Sequence, residues 1–165
     1  MDTQKALFAA GCFWGVQFYF DQVPGVVKTT VGYTGGHTEN PTYDDVITET
    51  TGHAETTLVE FDPKKVSYRT LVKQFFRMHD PTQLNRQGPD VGSSYRSAIF
   101  YFDQEQRKEA IQERNKKQEE LDKPVVTQIE HAGPFYVAEP YHQKFSERTG
   151  IGMCHIPYAA IPKDS

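Results

Sequence analysis

The apolar run Ala6-Leu7-Phe8-Ala9-Ala10 passes directly into Gly-Cys-Phe-Trp-Gly at positions 11–15. A short continuous apolar run bounded by a turn residue predicts a buried strand, here over 5–10. Gly11 lets the backbone turn at once into a helix over 12–22, on which Phe13, Val16, Phe20 and Val23 gather near one side. Any fold for this chain must therefore set Cys12 at the junction of a buried strand and the first turn of a helix. Unpaired N–H groups at such a turn carry partial positive charge and stabilise a thiolate, the nucleophilic form of cysteine. Phe13 and Trp14 supply a flat apolar wall beside it, and Gly11 and Gly15 leave room for backbone and substrate. Cys12 alone leaves a second reading open, that of an inert buried thiol, because free cysteine is among the most buried residue types.

The rest of the chain supplies the layers. Val26 to Tyr33 predicts a second strand, stopped by Gly35-Gly36, and 54–61 a third, closed by Asp62-Pro63. Ser67 can cap a helix over 68–78 with Tyr68, Leu71, Val72, Phe75 and Phe76 as its apolar stripe. A strand over 95–102 precedes a charged helix to Leu121, for which Asp103 and Gln106 resemble a capping box. Val125 to Glu130 is the last clear strand. Segments 37–53 and 79–94 read as irregular, and loops this long in a compact domain are more often functional than idle. The order β-α-β-β-α-β-α-β predicts an α+β fold, an α/β two-layer sandwich with a mixed central sheet and helices packed on it.

At 165 residues the chain suits a single domain over 1–165. Only 37% of residues are hydrophobic, but 11 Phe, 9 Tyr and 1 Trp each bury a large area. A net charge of −4 without any long Lys/Arg block argues against a nucleic-acid partner. No 18-residue apolar run marks a membrane span and no basic-then-apolar leader is visible, so the cytoplasm is the expected location.

Glu55 shares a strand face with Thr57, Val59 and Phe61. Facing inward, its carboxyl would sit at the mouth of an apolar core, where desolvation raises the pKa and makes a proton donor. In the other register Leu58 faces in and Glu55 is solvated; periodicity leaves both open. Asp90 and Tyr95 flank permissive Gly and Ser positions in one long loop, and Tyr43 precedes Asp44-Asp45 in the other. The six histidines show no ligand spacing, so no metal is expected, and Tyr141 and His142 read as packing residues. Cys12 and Cys154, at opposite ends, form neither a C-x-x-C motif nor a disulfide framework. A permanent bridge between them would suit a secreted protein, a transient catalytic one a reducing compartment.

Six segments in order, Gly-Cys-Phe-Trp-Gly (11–15), Val-Gly-Tyr-Thr-Gly-Gly (31–36), Gly-His-Ala-Glu (52–55), His-Asp-Pro-Thr (79–82), Gln-Gly-Pro-Asp-Val-Gly-Ser-Ser-Tyr-Arg-Ser (87–97) and Ala-Glu-Pro-Tyr-His-Gln (138–143), resemble the peptide methionine sulfoxide reductase A family. The resemblance implies that Cys12 is the nucleophile and that Phe13 and Trp14 bind the substrate's ε-methyl group. It makes Glu55 the proton donor to the sulfoxide oxygen, with Tyr43 and Tyr95 hydrogen-bonding that oxygen and Asp90 a polar neighbour. The implied substrate is the S-epimer of methionine sulfoxide, free or in proteins, with thioredoxin or a small dithiol as external reductant and no bound cofactor. Cys154 resembles a C-terminal resolving cysteine, carried on a tail, 146–165, expected to move. Family members vary in how many cysteines they carry there, and this chain has one. The chain is expected to act as a monomer. A cysteine-dependent acyl-transfer enzyme, needing a histidine base on Cys12, and a binding module built on Phe13 and Trp14 are the readings from other classes.

Overall fold

The computed structural model describes residues 2–150, so Cys154 and residues 151–165 of the expected tail lie outside the described residues. In chain order the elements are β1 (Gln4–Ala10), α1 (Phe13–Asp21), β2 (Val26–Thr34), α2 (Tyr43–Ile47), β3 (Ala54–Phe61), α3 (Tyr68–Arg77), β4 (Arg86–Gln87), β5 (Asp90–Val91), β6 (Ser97–Tyr101), α4 (Gln104–Glu119), β7 (Gln128–His131), β8 (Tyr136–Val137) and α5 (Phe145–Thr149). Short 3₁₀ turns lie at Ser93–Tyr95 and Pro140–His142.

Six strands form one mixed sheet in the order β7-β6-β1-β3-β2-β8. All its pairings are antiparallel except β6 with β7, which run parallel across the α4 connection. The first strand sits inside the sheet, covered on both faces, and its sequence is apolar over Ala6–Ala10 for that reason. Ala6, Phe8 and Ala10 face α1 and α3, where the Phe8 ring stacks on Phe20 at 5.2 Å and on Phe75 at 5.4 Å. Leu7 and Ala9 face the other way, into a smaller cluster with Ala98 and Phe100 covered by Ala132 and Phe135. The α+β class with helices on a mixed sheet, expected from the element order, is the architecture found.

Caps follow the sequence with one change. Ser67 Oγ accepts from the Thr70 amide at 3.1 Å, as a helix N-cap should. Asp103 accepts from the Gln106 amide at 2.8 Å, but Gln106 Oε1 takes the Phe102 N–H instead of returning to Asp103, so the box is half closed. Arg69 ties α3 to the otherwise charged α4 through Glu113 at 2.7 Å.

Several boundaries and segments differ from expectation, the short strands β4, β5 and β8 among them. Tyr95 belongs to a 3₁₀ turn, and β6 starts two residues later at Ser97. β7 starts at Gln128 rather than Val125, because the Val125 and Val126 amides donate to Gln118 Oε1 and the Pro81 carbonyl outside the ladder. The stretch 37–53 contains α2, whose Thr42 and Asp45 form a complete capping box. Among the described residues no helix is long and apolar enough to cross a membrane.

Candidate active site

Gly11, at φ +96°, makes the turn between β1 and α1, a backbone region that side chains other than glycine rarely occupy. Cys12 follows as the N-cap of α1, half-buried and unoxidised. The first-turn amides of α1 are divided between two groups. Phe13 N–H donates to Glu55 Oε1 at 3.1 Å, whereas the Trp14 and Gly15 amides act on the Cys12 sulfur.

Glu55 lies on β3 directly across from Tyr33 of β2, with its side chain on the inward face; the solvated register does not occur. It is 2% exposed, and burial pushes its carboxyl up to about 8. Asp90 and Glu49 push in the same direction and the Phe13 amide opposes them. At neutral pH the group therefore keeps its proton. Its Oε2 is buried and has no hydrogen-bond partner among the described residues. An orphaned polar atom is costly inside a protein, so a protonated oxygen held this way is poised to donate to something that enters.

Cys12 departs from the expectation of a ready thiolate. The helix amides do lower its pKa, but burial, with Glu55 and Asp90 adding, outweighs them and raises the sulfur well above the ordinary cysteine range. The resting sulfur is a thiol beside a carboxylic acid.

Tyr43 is the first residue of α2, fixed there by its backbone N–H to Glu139 Oε2 at 2.9 Å. Tyr95 ends the 3₁₀ turn after β5, and its hydroxyl is directed at the Tyr43 oxygen. Burial raises both phenols, and both feel Glu55 and Cys12. They stay protonated donors throughout the ordinary pH range. Asp90, on β5 paired across from Gln87, acts on Cys12, Glu55 and Tyr95 together. Four stretches of the chain thus bring together Cys12, Tyr43, Glu55 and the neighbouring pair Asp90 and Tyr95.

The apolar wall is an aromatic box. Phe13 is buried, its ring 5.7 Å from Tyr33 and 5.2 Å from His142, and Trp14 stacks on Phe145 at 3.9 Å. His142, read from sequence as packing, closes the box: its ring also lies 4.6 Å from Tyr43 and 4.0 Å from Tyr141. Trp14 Nε1 donates to His142 Nδ1 at 2.9 Å, which assigns the imidazole proton to Nε2. Burial lowers the His142 pKa, so the ring is neutral, and with Nδ1 occupied it is a poor base for the acyl-transfer reading.

Two acidic residues escaped the sequence reading. Glu139 accepts from the Tyr33 hydroxyl and the Tyr43 amide, both at 2.9 Å, and Glu49 receives three hydrogen bonds from Ser93 and Ser94. Their partners lie 44 or more residues away in sequence, beyond any local pattern. The signal that did exist was the segment Ala-Glu-Pro-Tyr-His-Gln, which contains Glu139, His142 and Gln143. Gln143 hydrogen-bonds both backbone groups of Val31, so a side chain fastens this segment to β2. Among the described residues, no group of three or more His, Cys, Asp or Glu could hold a metal ion.

The family model described as peptide methionine sulfoxide reductase matches residues 4–164. A relative from Methanothermobacter thermautotrophicus, named peptide methionine sulfoxide reductase MsrA, is 54% identical over 155 residues, covering 93% of this chain and 92% of its own. The crystal structure of Mxr1 from Saccharomyces cerevisiae in reduced form superposes with a TM-score of 0.87 at 32% identity, covering 99% of this chain and 91% of that one. The structure of the same yeast protein in complex with Trx2 gives a TM-score of 0.62 at 26% identity, covering 87% and 84%.

Proposed function

Because the chain belongs to the peptide methionine sulfoxide reductase family, we propose that its Cys12 reduces the S-epimer of methionine sulfoxide, free or in proteins, with Glu55 as the acid. The observation that carries this reading is Glu55 Oε2: buried, without a partner, and on a carboxyl held protonated near neutral pH beside Cys12. Methionine sulfoxide presents a polarised S=O oxygen that must leave sulfur as hydroxyl, and a neutral acid at that point supplies the proton.

The Cys12 sulfur attacks the sulfoxide sulfur as its own proton leaves, and the Glu55 proton passes to the oxygen. Hydroxyl transfer to Cys12 then releases methionine and leaves a sulfenic acid, and the thiol proton restores Glu55. No net proton or electron is consumed beyond the two-electron oxidation of the cysteine. Tyr43 and Tyr95 donate to the oxygen, and Phe13 and Trp14 take the methyl group, which together orient the sulfur for attack. Asp90 keeps the proton on Glu55.

Cys154 then condenses with the sulfenic acid, releasing water and forming a Cys12–Cys154 disulfide, which thioredoxin or a small dithiol reduces by exchange. The solved complex of yeast Mxr1 with Trx2 supports a thioredoxin-type partner. We place the reaction in the cytoplasm, where such a reductant keeps thiols reduced. A monomer suffices, since one chain supplies every group named, and no bound cofactor is required. The test is turnover of each sulfoxide epimer, coupled to thioredoxin reduction. Turnover of the S-epimer with the R-epimer inert supports the reading; no turnover of the S-epimer removes it.

A further inference from the structure

Resting on the reading that Tyr43 and Tyr95 hold the sulfoxide oxygen, we propose that Glu49 is a positioning residue that locks those two phenols into one donor pair. Glu49 lies just past the Thr48 C-cap of α2, six residues after Tyr43, and its amide donates to the Val46 carbonyl at 3.0 Å. Its carboxylate crosses to the segment carrying Tyr95. Oε1 accepts from the Ser94 amide at 2.8 Å and Ser93 Oγ at 3.1 Å, and Oε2 accepts from Ser94 Oγ at 2.7 Å. Ser94 immediately precedes Tyr95, so a side chain anchored just past the helix that begins with Tyr43 holds the residue next to the second phenol.

Two backbone features show that the clamp has been accommodated. Glu49 sits at φ +64°, unusual for a residue other than glycine. Gly92 lies at φ +139°, and a Cβ there would stand 2.6 Å from the Glu49 carboxylate. The turn that presents Tyr95 is open on one side, and the Glu49 carboxylate fills that opening. Hydrogen bonds to a charged carboxylate are stronger than neutral ones, and this one accepts three. The clamp thus ties the 43–49 segment to the 93–95 turn independently of the contact between the two phenols.

The experiment is a double-mutant cycle on the full chain, using Glu49→Gln, Tyr95→Phe and the double variant. Single-turnover methionine release is read at pH 6, where Glu55 stays protonated in each variant. Glu49→Gln keeps the shape and removes the charge and one acceptor oxygen. It should lower methionine release at sub-saturating sulfoxide about tenfold, a loss typical of coupled contacts. In the Tyr95→Phe background the same change should cost less than about twofold, because the phenol it positions is already gone. Ser94→Ala, which deletes one of the three hydrogen bonds, should show the same coupling at smaller size and covers the case in which Glu49→Gln does not fold. Equal losses in both backgrounds, or no loss in either, with Tyr95→Phe itself impaired, would overturn the positioning role alone. A Tyr95→Phe variant as active as the parent would overturn the phenol reading and this proposal with it.

Discussion

Glu55 and Cys12 share one low-polarity corner, where burial holds both protonated and Glu55 adds to the rise at Cys12. The carboxyl keeps its proton to about 8 and the thiol keeps its own beyond the ordinary cysteine range. Sequence could locate both residues but not the sign for Cys12: the helix terminus is local, whereas the burial and the acidic side chains of Glu55 and Asp90 that overrule it come from distant strands. Glu55→Gln retains the Phe13 contact and removes the transferable proton, so methionine formation should fall about 10²- to 10⁴-fold. In the parent, the single-turnover rate should also decline as pH rises through about 8, where Glu55 ionises, and this limb should be missing from the glutamine variant. Trp14 is the sole tryptophan, and its indole N–H rests on neutral His142. Because burial lowers the His142 pKa, Trp14 emission should hold steady as pH falls through about 6.5 and change only below it, when protonation of Nδ1 breaks the bond. A change centred above that pH would show that His142 is not the buried neutral partner described.

Among the elements, those legible in sequence are the ones long enough to show a period. β1, β3, α1 and α3 carry apolar runs or stripes, and the pattern places each to within a residue or two. α2, with five residues, has no period to read, and its one signal is the Thr42–Asp45 box. The two-residue strands β4 and β5 exist only through their pairing. Tyr43 and Asp90 sit on these short elements and Tyr95 on a 3₁₀ turn, so the residues are recoverable from family resemblance while their backbone is not. The glycines distinguish positions that matter from those that do not. Gly92→Ala puts a methyl into the Glu49 carboxylate at a strained φ, and should cost about 1–3 kcal/mol of stability together with activity. At Gly133 a Cβ would meet nothing within 4 Å, and alanine there should bring little change or a gain of about 0.4–1 kcal/mol. Denaturant titration of the two variants checks both; equal losses would mean that Gly92 is not shaped by the clamp.

Over the whole molecule, the sheet buries Glu55, the acid of the proposed reaction, at a cost in stability. The Glu55 pKa is raised from about 4.5 in the unfolded chain to about 8 in the fold, so its protonated form is the one the fold favours. That contribution is complete below about 4.5 and is lost as pH rises through about 8. Glu55→Gln, which never ionises, should gain stability over the parent progressively across this window, reaching on the order of a few kcal/mol at the alkaline end. Thermal unfolding of both proteins between about pH 4 and pH 9 reads this directly, and parallel curves would mean that Glu55 is not desolvated. A carboxyl that costs stability at neutral pH and still sits where four stretches of the chain meet is what the proposed chemistry requires. That chemistry is most directly probed by a single turnover, without reductant, of the reduced protein with the S-epimer of methionine sulfoxide, followed by mass analysis of the Cys12 peptide after a sulfenic-acid trap. One sulfenic acid on Cys12 per methionine released is expected when Cys154 is replaced by Ala, and no methionine from Cys12→Ser. Methionine released by the Cys12→Ser protein, or release from the parent without oxidation of Cys12, would remove Cys12 as the nucleophile.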